Sequence, residues 1–140
     1  MRALIDTCII IDALQDRKPF NSDAQKIFLA VANKHLTGCI AAKSSTDIYY
    51  LTHRATHSDK ETRKILTKLF LLFEVLDTAG IDCRKAISSS VSDYEDAVMI
   101  ETAIHSDVDC IVTRNIKDYT QSPVKVYRPS ELLNELKVIK

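Results

Sequence analysis

Five short apolar runs, ALI, CIAA, EVLD, CIVT and VKVY, are spaced along the chain with helix-like segments between them. No other feature constrains the fold as strongly. Runs this short, bounded by polar residues, read as strands covered on both faces rather than as helices. Strands of that kind alternating with amphipathic helices build an α/β fold around a mostly parallel sheet, here of four to five strands. With 140 residues and no repeat or low-complexity tract, the chain reads as a single domain, residues 1–140.

The intervening segments carry helix signals. A helix is expected around Ile9 to Gln15, ending in a turn at Arg17-Lys18-Pro19. Ser22 can cap a second one, in which Ala24, Ile27, Phe28 and Val31 recur at helical spacing. Gly38 marks the break into CIAA, and Ser44 or Ser45 caps a helix holding Asp47, Ile48 and Leu51. Ser58 to Phe73 is amphipathic, and Asp82 to Ser88 is a short helix. After SSSVS comes an acidic helix, and Pro129 opens the last one.

Composition removes several function classes. Two glycines leave no glycine-rich phosphate cradle. Basic and acidic residues balance at 19 each, so no strong positive field advertises nucleic-acid binding by charge alone. Cys8, Cys39, Cys83 and Cys110 form no CxxC pair, and reduced thiols are expected. His35, His53, His57 and His105 lack metal-ligand spacing. No signal peptide or apolar run of about 20 residues is present, so a cytoplasmic protein away from membranes is expected.

The acids carry the chemical signal. In open parallel sheets, ligands sit at the carboxyl ends of strands. Asp6 ends the first strand, with helix capping as its ordinary alternative. Asp47 stands three residues after Ser44, where it can serve as a capping-box partner. In SDYEDAVMIETA, Ser92 and Glu95 make a capping box, but Asp93 and Asp96 fall on the apolar stripe with Ile100 and Ala103. An unpaired carboxylate there is costly unless a cation meets it. The turn TRNIKDY follows the strand CIVT and offers Thr113, Asn115 and Asp118, with Arg114 and Lys117 as positive charges.

Taken in order, LIDTCIIIDAL, SSTDIYYL, DYEDAVMIETA and IVTRNIKDY resemble the PIN-domain ribonucleases, including VapC-type toxins of toxin–antitoxin pairs. The resemblance implies a three-layer α/β/α fold and hydrolysis of RNA phosphodiester bonds at an acidic Mg2+ or Mn2+ site. By position it implies metal ligation by Asp6, Asp47, Asp93, Asp96 and Asp118, with Asn115 as the alternative to Asp118 for the last contact. It adds Thr113 and Asn115 to the catalytic set, and Arg114 or Lys117 for holding a flanking phosphate. Asp47 departs from the glutamate usual there, and is one methylene shorter. The resemblance also implies a cognate antitoxin and a homodimer, the latter in keeping with surplus apolar residues on the helices at 22–34 and 58–73. Two other readings fit parts of the pattern. A catalytically inactive PIN fold would act as an RNA- or protein-binding module. A phospho-receiver domain would require its acid, Asp77, to end a central strand.

Overall fold

The structure is a computed structural model and describes residues 1–139. All five apolar runs are strands: β1 (Arg2–Ile5), β2 (Thr37–Ala41), β3 (Glu74–Leu76), β4 (Cys110–Val112) and β5 (Lys125–Tyr127). They form one sheet in the order β3-β2-β1-β4-β5, with every pairing parallel. Among the described residues, seven α-helices connect and follow them: α1 (Thr7–Leu14), α2 (Asn21–Ala32), α3 (Ser45–Thr56), α4 (Asp59–Leu72), α5 (Gly80–Ile87), α6 (Tyr94–His105) and α7 (Pro129–Ile139).

The period-two geometry of the strands divides the core into layers. Ala3 and Ile5 of β1, Ile40 of β2, and Cys110 and Val112 of β4 face a cluster built with α1, α2, α3, α4 and α7. Leu4, Cys39, Ala41 and Ile111 face the opposite way, onto Met99, Ile100 and Ala103 of α6. The helices α5 and α6 cover that second face, packed against each other through Ala86, Ala97 and Val98. The result is the expected three-layer α/β/α fold. Among the described residues the four cysteines are free, and no helix is long and apolar enough to cross a membrane.

Several local expectations are corrected. The first helix begins at Thr7, directly after Asp6, because nothing separates strand from helix there. Phe20, not Ser22, occupies the N-cap of α2, and no side chain caps it. Gly38 lies inside β2, not before it. A Cβ at Gly38 would come within 2.6 Å of the Phe73 ring and 2.7 Å of Val31, so its glycine serves close packing. At the start of α4 the Ser58 side chain caps the helix, accepting the Glu61 N–H at 3.2 Å.

Candidate active site

Parallel pairing puts the carboxyl ends of all five strands on one edge. Chain order runs outward from β1 through β2 to β3 on one side and from β4 to β5 on the other. The switch point therefore lies between β1 and β4, where an open α/β sheet leaves its crevice. Asp6 follows β1 and Thr113 follows β4. Thr113 Oγ1 donates to Asp6 Oδ2 at 2.7 Å, closing the switch point with a charge-assisted hydrogen bond. Asp6 occupies the N-cap position of α1, yet its side chain makes no capping bond and is left for the crevice. The receiver alternative fails here, because Asp77 follows β3, an edge strand.

The acidic helix contributes from the other face of the sheet. Asp93, not Ser92, is the N-cap of α6, so it precedes the helical stripe on which its spacing predicts it to lie. Its Oδ1 accepts the Asp96 N–H at 3.0 Å, and Glu95 pairs instead with Lys43 at 3.6 Å. The Ser92–Glu95 capping box is thus replaced. Asp96 is half-buried and accepts a hydrogen bond from the Tyr119 hydroxyl at 3.1 Å. Burial, opposed by that bond and reinforced by Asp93, Asp6 and Asp118, pushes the Asp96 carboxyl up to about 6. Burial and the neighbouring acids Asp6 and Asp96 hold the Tyr119 hydroxyl far above its ordinary value, so it remains a donor. Cys8, whose thiol donates to Asp6 Oδ2 at 3.6 Å, is pushed up to about 11 by burial and then by Asp6. It stays a thiol and adds no negative charge.

Four of the expected acids, Asp6, Asp93, Asp96 and Asp118, therefore share one electrostatic field. Asp47 is exposed on the first turn of α3, and its capping-box role is not realised. Ser44 makes no side-chain cap; its hydroxyl is buried against Met99 Sδ at 3.9 Å. Asn115, Lys117 and Asp118 are exposed in the polar turn after β4, which contains a short 3-10 helix, Ile116–Tyr119. Among the described residues no three His, Cys, Asp or Glu side chains form a ready-made metal cage. In chemistry, however, the set suits a hard divalent cation. Its donors are carboxylate oxygens, and their mutual repulsion helps to raise Asp96 until positive charge offsets it.

Three residues near the site escaped the sequence reading. Tyr119 is buried and orients Asp96, although TRNIKDY has no period that would separate it from a surface turn. Lys43 enters the acidic rim from the end of β2, and its place directly after CIAA was the available signal. Asp12 is wholly buried in α1 and holds Arg114 at 2.7 Å. Its signal was an acid at helical spacing from Cys8 and Ile9 inside an apolar run. Arg114, expected as a phosphate contact, is thus engaged by Asp12.

A family model described as PIN domain matches residues 2–117. Similar solved structures include a toxin–antitoxin complex from Klebsiella pneumoniae, 21% identical with a TM-score of 0.66, covering 91% of this chain and 97% of that one. FitAcB from Neisseria gonorrhoeae is 16% identical with a TM-score of 0.66, covering 91% and 98%. VapBC2 from Rickettsia felis, bound to a promoter DNA fragment, is 15% identical with a TM-score of 0.64, covering 91% and 98%. At these identities the likeness is one of fold. A search of curated proteins gives no match.

Proposed function

Since this chain belongs to the PIN domain family, we propose that it is a Mg2+- or Mn2+-dependent endoribonuclease, the toxin of a toxin–antitoxin pair. The observation that carries this reading is the field shared by Asp6, Asp93, Asp96 and Asp118 at the switch point of the sheet. The resemblance to the toxin–antitoxin complex from Klebsiella pneumoniae over 91% of this chain supports a cognate antitoxin as partner.

Asp6 and Asp96 would hold the metal, with Asp93, Asp118 and Asp47 completing the ligand set. When bound, the cation supplies Lewis-acid activation of the attacking water and positive charge against the phosphorus centre. Thr113 fixes the rotamer of Asp6, and Tyr119 does the same for Asp96. Asn115, exposed beside them, orients the attacking water, and Lys117 holds a flanking phosphate. Asp118 is favoured over Asn115 as the ligand from the turn after β4 because it contributes to the field at Asp96. The direct test is manganese-dependent cleavage of a structured RNA by the purified chain. Binding of that RNA without cleavage would favour an inactive PIN module.

The Asp47 assignment has its own expected outcome. Its side chain caps nothing, so Asp47→Ala should change metal-free stability by no more than about 0.5 kcal/mol. Saturating manganese should stabilise the wild type by about 2.7 kcal/mol at a hundredfold excess over Kd. The variant should show a smaller shift together with slower cleavage. An unchanged metal-induced shift, measured by thermal melting, removes Asp47 from the ligand set.

A homodimer is part of the same proposal. Leu29 of α2 and Leu71 of α4 are 61% and 84% exposed, and Tyr50 of α3 is 63% exposed. Apolar surface of this extent on the helices of one layer favours a second copy as its cover. Light scattering at micromolar concentration should give twice the chain mass, and a monomer mass overturns this part of the reading.

A further inference from the structure

We infer that Asp12, Arg114 and Phe20 form a clamp that sets Thr113 against Asp6, making Asp12 and Arg114 positioning residues rather than RNA contacts. The inference rests on the nuclease reading for its catalytic consequence, but its structural consequence stands apart from it. Arg114 Nε donates to Asp12 Oδ2 at 2.7 Å and Arg114 Nη2 to Asp12 Oδ1 at 3.3 Å, a two-pronged fork. The guanidinium carbon also lies 4.0 Å from the centre of the Phe20 ring. One side chain is therefore fixed in its plane by a carboxylate and on its face by an aromatic ring.

The ion pair spans 102 residues of sequence and joins α1 to the loop after β4. Asp12 is 0% exposed and the Arg114 side chain 27%. Burial of such a pair gives little net stability, because desolvation of both charges offsets their attraction. What it does fix here is a backbone position. Residue 114 stands between two anchored neighbours. The Thr113 N–H donates to the Tyr127 carbonyl at 3.0 Å, and the Asn115 N–H donates to Thr113 Oγ1 at 3.1 Å. With both of those bonds made, the Thr113 hydroxyl hydrogen is directed onto Asp6 Oδ2. Loss of the fork frees residue 114 to rotate and disturbs the hydroxyl geometry without touching any group that meets RNA. A Lys at this position would retain charge but not the fork or the planar stack.

The test uses the full chain and three proteins: wild type, Arg114→Lys, and the neutral pair Asp12→Asn/Arg114→Gln, each checked for fold by circular dichroism. Two readouts are taken. In metal-free protein, NMR follows hydrogen exchange of the Asn115 amide and the Thr113 methyl resonance. With manganese, kcat and KM are measured on an RNA oligonucleotide, together with metal-free RNA affinity. The clamp predicts at least about tenfold faster exchange at Asn115 and a shifted Thr113 methyl in both variants, with sheet amides unaffected. It predicts a kcat lowered about a hundredfold, the scale of an ångström-level misplacement, with KM and RNA affinity changed less than about twofold. Unchanged Asn115 exchange overturns the clamp. So does normal kcat with weakened RNA affinity, the behaviour of a phosphate contact. If wild type cleaves nothing while the NMR changes occur, the nuclease reading fails and the clamp remains.

Discussion

Asp6→Asn and Asp96→Asn should each reduce metal-dependent RNA cleavage on the order of a thousandfold, the scale seen when a group that stabilises transition-state charge is removed. Both substitutions keep size and one side-chain oxygen. At position 6 the amide oxygen can still accept the Thr113 hydroxyl, and at position 96 the Tyr119 hydroxyl, so the fold should survive. The effect on stability carries the physical argument. The Asp96 carboxyl is raised to about 6, above its value in the unfolded chain, by burial first and then by Asp93, Asp6 and Asp118. Across the interval from ordinary carboxylate values to about 6 the folded state binds more protons. Metal-free stability therefore falls as pH rises through that interval, and the full cost is present at about pH 7 to 8. Asp96→Asn removes it. Because the group is partly open to water, the gain should be about 1 kcal/mol. Melting curves in chelator at about pH 4.5 and about pH 7.5 check this: the variant's gain over wild type should be clearly larger at the higher pH. Near wild-type cleavage by both variants would remove these acids from the site.

The second large effect concerns stability. Arg114→Ala should cost about 3–5 kcal/mol, because it leaves the wholly buried Asp12 carboxylate without a partner. Asp12→Ala should cost less, since the Arg114 side chain is already 27% exposed and its guanidinium can turn to water. The neutral pair Asp12→Asn/Arg114→Gln should lie nearer to wild type than Arg114→Ala. Urea unfolding of the four proteins measures the order. An Arg114→Ala loss below about 1 kcal/mol would mean that water reaches Asp12 once the guanidinium is gone.

The period of apolar residues determined much of this protein before any coordinates. An α/β fold around a mostly parallel sheet of four to five strands followed from runs such as CIVT, because a strand covered on both sides has no polar face to show. Asp6 and Thr113 were legible as candidates because they end such runs, and the end of a parallel strand is where the crevice opens. Asp96 was legible because a carboxylate on the buried side of a helix conflicts with its neighbours. Local chemistry could not choose between rival caps. Ser92 and Asp93 are both good N-caps, and in the folded chain Asp93 is the cap while Glu95 pairs with Lys43. Nor could it pair Asp12 with Arg114, 102 residues apart in the chain. Hydrophobic periodicity acts over a few residues and so survives in the sequence. Ion pairs and hydrogen bonds between distant segments exist only after the sheet order β3-β2-β1-β4-β5 has brought α1 and the loop after β4 together. Tertiary structure alone decided that Arg114 faces Asp12 and that Tyr119 faces Asp96.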